Sequence, residues 1–196
     1  VTGEFLVGVP FVDQNWAKGL DSKGRPILFD GDGVRNKGRL TKPGFTGGTN
    51  WQNPALDQSK GLVFAAATES VSVFTKSLEV LPRDPAHGQY LSSGAATPEL
   101  PVLVVRALDV ATGTKKWEAF APTLKDHYYS GLLATAGGLV LGTQGGYAFA
   151  LESATGREVW RVFLGGDTRA APMTFTLDGR QVIAISAGRS LLLFGL

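Results

Sequence analysis

Apolar and polar positions along the chain fall into short runs punctuated by glycine and proline. Gly137-Gly138-Leu139-Val140-Leu141-Gly142-Thr143 and Gln181-Val182-Ile183-Ala184-Ile185-Ser186 are typical: apolar or β-branched stretches closed off by turn formers. No stretch shows the 3.6-residue apolar spacing of an amphipathic helix, and glycine this dense disfavours helices. The pattern predicts strands at residues 4–12, 49–56, 62–68, 102–108, 116–120, 131–135, 139–143, 146–151, 158–163, 171–177, 181–186 and 190–194, with a weak run at 71–74. Between the first two of these the chain is polar and glycine-rich. Lys23-Gly24, Asp30-Gly31 and Asp32-Gly33 are turn formers there, and Pro26 and Pro43 are breakers. The fold class is all-β.

The runs repeat. Ala150-Leu151-Glu152-Ser153-Ala154-Thr155-Gly156-Arg157-Glu158-Val159-Trp160 has a near copy 43 residues upstream, Ala107-Leu108-Asp109-Val110-Ala111-Thr112-Gly113-Thr114-Lys115-Lys116-Trp117. Each copy reads as a strand end, an acidic residue, a Thr-Gly turn and a strand bearing tryptophan. A damaged third copy opens the chain: Val1-Thr2-Gly3-Glu4-Phe5-Leu6-Val7, with Val7 in the place of tryptophan. A period of this length filled with short strands is that of a β-propeller, whose blades are four-stranded antiparallel sheets.

On this reading 4–12 is an orphan outer strand and 13–46 an excursion. Residues 47–121 are a blade with an insertion at 70–100, 130–163 a compact blade, and 169–196 an incomplete last blade. That is about three blades of a larger propeller. Trp117 and Trp160 are expected to be largely buried between neighbouring blades. The chain reads as an internal or C-terminal piece, and its orphan strand and unfinished blade are complementary. A fragment of this kind is expected to self-associate, most economically as a two-fold dimer.

Composition narrows the function. With 43% hydrophobic and 18% charged residues the chain is globular rather than disordered, and 19 basic against 17 acidic residues leave no footprint for nucleic acid. No apolar run approaches the roughly 18 residues of a membrane span. Val1 begins no signal peptide. Zero cysteines exclude disulfides and thiolate metal sites. The two histidines are His87 and His127. Asp126-His127 suggests an acid/base pair, although neighbours on a strand face opposite sides. Asp109 and Glu152 recur in register, which points to turn capping in each repeat.

Several stretches, taken together and in order, carry a resemblance. They are the two tryptophan repeats, Asn15-Trp16-Ala17-Lys18-Gly19-Leu20-Asp21 with Gly24-Arg25-Pro26, Gly47-Gly48-Thr49-Asn50-Trp51-Gln52, and Arg169-Ala170-Ala171-Pro172-Met173-Thr174 followed by Asp178-Gly179-Arg180-Gln181. The chain resembles the C-terminal part of the pyrroloquinoline quinone (PQQ) dependent alcohol, methanol and glucose dehydrogenases, eight-bladed propellers with tryptophan-docking motifs.

The resemblance implies a periplasmic bacterial oxidoreductase that oxidises an alcohol or sugar and passes electrons to an acceptor. It implies PQQ with calcium or a lanthanide in the full-length parent, and the chain as given is expected not to hold PQQ tightly. Asn50 and Trp51 are implied to line the cofactor pocket, with Thr168, Arg169 and Ala170 beside it. A flat tricarboxylate quinone suits aromatic planes, amide donors and cations. The family's catalytic aspartate and metal ligands fall upstream of Val1 by the same resemblance, so no catalytic or metal residue is assigned in this chain. The other class of function consistent with the repeats is a non-enzymatic propeller acting as scaffold or binding module, which would have no need of the Asn50-Trp51 pair.

Overall fold

The computed structural model describes residues 2–29, 38–76, 93–96, 100–120 and 129–195. All sixteen of its elements are strands: β1 (Ala17–Leu20), β2 (Pro26–Leu28), β3 (Arg39–Thr41), β4 (Ala55–Asp57), β5 (Leu62–Glu69), β6 (Ser72–Lys76), β7 (Ser93–Ala96), β8 (Val102–Asp109), β9 (Lys115–Phe120), β10 (Leu133–Ala134), β11 (Leu139–Gln144), β12 (Tyr147–Glu152), β13 (Glu158–Phe163), β14 (Met173–Leu177), β15 (Arg180–Ala187) and β16 (Ser190–Gly195). The all-β reading holds.

The strands divide between two compact units. One comprises residues 1–48 and 69–101, the other 49–68 and 102–196. In the first, β1 and β2 form a hairpin and β6 pairs with both β3 and β7, all antiparallel. The stretch read as an excursion therefore holds three short strands. The weak run at 71–74 is a full strand, β6. Residues 4–12, expected to be an outer strand, are not in a strand here. An edge strand exists only through its partner's hydrogen bonds, and apolar alternation alone does not supply one.

The second unit is three antiparallel sheets, ordered β4-β5-β8-β9, β10-β11-β12-β13 and β14-β15-β16. Alternation along each strand sends one set of side chains to each face. One core joins the first two sheets through Leu62, Phe64, Leu103, Val105, Val140 and Phe149. A second joins the second and third through Leu141, Ala148, Ala150, Ile183 and Ile185.

The 43-residue repeat extends to backbone irregularity. The pairing of β8 with β9 slips between Ala107 and Leu108, and that of β12 with β13 slips between Ala150 and Leu151. Each slip prepares the turn where Asp109 or Glu152 sits. The innermost strands are shorter than expected. The run predicted at 49–56 is reduced to β4, and that at 131–135 to β10, because the residues leading into them make other contacts.

Candidate cofactor site at the leading ends of three strands

Three segments lead into β4, β10 and β14, and Gly131 brings them together. A Cβ at this position would run into Asn53 Oδ1 and lie 3.1 Å from Ala171 Cβ, so only glycine lets the three chains approach. Asn53 completes the junction: its carbonyl accepts the Leu132 N–H at 3.0 Å, and its Nδ2 donates to Leu132 O at 3.1 Å. Asn50 and Trp51 stand three and two residues before Asn53, and Thr168, Arg169 and Ala170 precede Ala171. The five predicted residues therefore occupy segments that converge on one glycine.

Their exposures differ. Trp51 leaves 50% of its surface in solvent, so it is not a core aromatic. Asn50, Arg169 and Ala170 are exposed, whereas Thr168 is buried. The Asn50 N–H donates to Gln52 Oε1 at 3.1 Å, and Arg169 Nε donates to Asp167 Oδ2 at 3.1 Å. The latter pair is exposed to water and holds its partners weakly.

Sequence reasoning missed the middle segment. Tyr129 is buried, packs edge-on to Phe149 at 6.4 Å between centroids, and forms an isolated antiparallel bridge with Gln144. The Ser130 hydroxyl accepts the Thr143 N–H at 2.9 Å and donates to Gly131 O at 2.7 Å. The available signal was Ser130-Gly131 directly before the apolar Leu132-Leu133. His127 and His87 lie outside the described residues.

Polar atoms beneath the junction bear on what it could hold. Thr168 Oγ1, Thr143 Oγ1 and both amide atoms of Gln144 are buried without a hydrogen-bond partner. Leaving such a group unmatched costs about 1–3 kcal/mol, so this end of the sheets is chemically a polar site rather than an apolar core. With the Trp51 plane, the Asn50 amide and the Arg169 cation, the donor set fits a planar tricarboxylate quinone. Among the described residues no three His, Cys, Asp or Glu side chains cluster as metal ligands.

A second polar constellation is structural. Asp57, at the end of β4, accepts from Ser59 Oγ at 2.6 Å, Lys60 Nζ at 2.8 Å and Ser153 Oγ at 3.1 Å. Hydrogen bonds from Lys60 first, then Ser59 and Ser153, hold its carboxyl well below the usual carboxylate range against the cost of burial. Ser153 belongs to the turn after β12, and its carbonyl accepts the Trp117 indole N–H at 2.9 Å. The Trp117 ring lies on Gly156 of the same turn, where a Cβ would come within 2.6 Å of Cε3. Trp117 and Asp57 thus clamp the first sheet to the turn of the second.

Trp160 instead meets Phe194 edge-on at 5.3 Å. Both indoles are half-buried, less than expected. Asp109 caps its turn as the repeat implied, accepting from the N–H groups of Ala111 and Thr112 at 3.1 and 3.0 Å. Its carboxyl is lowered first by the Thr112 N–H, then by the Thr112 hydroxyl and Lys116. Glu152 is lowered first by the Thr155 hydroxyl and then by Arg157.

Comparison with known proteins bears on the same residues. Residues 120–183 match the PQQ family described as glucose/ethanol/alcohol dehydrogenase, beta-propeller domain. Quinoprotein alcohol dehydrogenase PedH of Pseudomonas putida is 29% identical over 95% of this chain and 32% of its own length. Quinoprotein ethanol dehydrogenase of Pseudomonas aeruginosa is 32% identical over 95% of this chain and 31% of its own. The solved structure of quinohemoprotein alcohol dehydrogenase ADHIIG from Pseudomonas putida HK5 superposes with a TM-score of 0.82 at 29% identity, covering 97% of this chain and 30% of that one. The chain thus spans about three tenths of the length of the proteins it resembles. In sequence and in fold the chain is thus similar to one part of the PQQ-dependent alcohol dehydrogenase β-propellers.

Proposed function

We propose that this chain is a C-terminal portion of an eight-bladed, periplasmic PQQ-dependent dehydrogenase and that it forms one wall of the quinone pocket. The observation that carries the reading is the convergence of the Asn50-Trp51 lead and the Thr168–Ala170 lead on Gly131, with unmatched polar atoms beneath them. The relatives named above are alcohol and ethanol dehydrogenases, which favours an alcohol over a sugar as substrate.

PQQ, when bound, supplies the two-electron acceptor, and the chain's own residues hold it. The Trp51 indole offers a plane for the ring system, the Asn50 carboxamide donates to a carbonyl or carboxylate oxygen, and the Arg169 guanidinium offsets carboxylate charge. Thr168 Oγ1 is the buried hydroxyl nearest in sequence to that cation. The calcium or lanthanide ion of the proposal is held by oxygen ligands outside the described residues. The electrons pass to a separate acceptor.

The test uses the longer protein that contains this segment, supplied with PQQ and calcium. Dye reduction with a primary alcohol is expected, and Trp51→Ala and Arg169→Gln should each weaken PQQ binding about tenfold, or about 1.4 kcal/mol. Unchanged PQQ affinity in both variants would remove the chain from the cofactor wall. A PQQ-loaded protein that oxidises neither alcohols nor sugars would favour the scaffold reading.

A further inference from the structure

The Asn53 carbonyl accepts the Leu132 N–H at 3.0 Å and the Asn53 Nδ2 donates to Leu132 O at 3.1 Å, so one residue satisfies both backbone groups of Leu132. Next in the chain is Pro54, which has no N–H. The backbone offers no donor at that step, and the side chain supplies one. Nδ2 also donates to Pro54 O at 3.5 Å, which orients the amide. Leu132 is buried in the core that joins the first two sheets, whereas Asn53 is exposed. The pair therefore ties a solvent-facing lead to a fixed core residue, through a carboxamide that packing does not require.

The tie lies two residues from Trp51. With 50% of its surface in solvent, the Trp51 ring has too little packing to be fixed by contacts alone. The bond from the Asn50 N–H to Gln52 Oε1 is local and moves with the lead. On the facing segment, Gly131 lets Asn53 Oδ1 come where any Cβ would collide, so the spacing of the two leads has little slack. The same point lies 3.1 Å from Ala171 Cβ, and the lead that carries Thr168, Arg169 and Ala170 shares the reference.

We infer that Asn53 is the positioning residue of this wall: its carboxamide fixes where the Trp51 plane stands relative to the leads that carry Ser130 and Arg169, and through Trp51 it tunes how tightly a planar ligand is held. The inference rests on the quinone reading for the identity of that ligand, and on the hydrogen bonds for the positional role. Asn53→Leu isolates the role, because it keeps the branched shape and removes donor and acceptor together.

In the 196-residue chain labelled with fluorotryptophan, the four tryptophans give four fluorine resonances, and Trp51→Phe identifies the Trp51 line. Asn53→Leu should narrow that line and move it toward the position of free fluorotryptophan, with the Trp117 and Trp160 lines unmoved. Gly131→Ala, far along the chain from Trp51, should move the same line by separating the leads. A Trp51 line that stays in place in either variant overturns the inference. In the longer protein loaded with PQQ, Asn53→Leu should raise the PQQ dissociation constant about threefold, the low end of a hydrogen bond's net worth at a site open to water, and should add nothing in a Trp51→Ala background. Equal weakening in both backgrounds overturns the inference, since Asn53 would then act elsewhere. So does an unchanged affinity in Asn53→Leu beside a weakened Trp51→Ala. If Trp51→Ala leaves PQQ affinity unchanged while Asn53→Leu and Gly131→Ala still release the Trp51 line, the positional role stands and the quinone reading falls.

Discussion

Gly156 carries two constraints at once: a left-handed backbone and a tryptophan lying on its face. Gly156→Ala should cost about 1–2 kcal/mol for the backbone alone, and more because the Trp117 ring must shift. Urea denaturation would measure it. The two tryptophans should not be equivalent, although the sequence makes them look so. Trp117→Ala removes an indole hydrogen bond and a core contact with Phe64 at 5.6 Å between centroids, and falls in the range of about 3–5 kcal/mol for large core truncations. Trp160→Ala, beside an existing cavity of about 280 Å³, should cost less in this chain. Equal losses would mean that the cavity is filled.

Asp57 makes a pH prediction. Its carboxyl is depressed in the folded chain, so its contribution to stability is complete above the ordinary value near 3.8 and is lost as pH falls toward the folded value. The gap in stability between the wild type and Asp57→Asn should therefore be constant from pH 5 to 7 and shrink as pH drops below about 4. A gap that widens on acidification would contradict the assigned hydrogen bonds.

At the scale of elements, legibility followed local information. The compact sheet β10-β11-β12-β13 was readable because its apolar runs are short and each turn carries its own glycine signal, Gly137-Gly138, Gly145-Gly146 and Thr155-Gly156. The recurring Asp109 and Glu152 were readable as caps for the same reason. The sheet β3-β6-β7 was not, since Arg39–Thr41 pairs with Ser72–Lys76 across the intervening β4 and β5 and the strands are too short to show alternation. Asn50, Trp51 and Thr168 to Ala170 came from a resemblance. Tyr129, Gly131 and Gln144 could not come from spacing, because what joins them is a crossing of three backbones.

Gln144 shows why. One repeat later its place at the end of β15 is taken by Ala187, also buried, so the fold does not require an amide there. Gln144→Met is expected to leave the melting temperature of the PQQ-free chain unchanged or raised, since it removes an unmatched polar group. A lowered melting temperature would mean that the amide is satisfied by structural water instead.

At the scale of the whole molecule, a planar cofactor needs more than one wall. Small-ligand sites bury some 70–90% of their ligand, whereas Asn50, Trp51, Arg169 and Ala170 are all exposed and belong to one set of strand ends. A tricarboxylate held only there would keep most of its surface in water, where an exposed guanidinium is screened and a single aromatic face contributes about 1 kcal/mol. The 196-residue chain alone should therefore show no saturable PQQ binding at micromolar concentration and no dye-linked alcohol oxidation. Both should appear in a protein of the relatives' length. A quinone absorbance titration decides the first point: saturation by the isolated chain at micromolar PQQ would show that this wall suffices, and the pocket would then have to be sought between the strand ends described here.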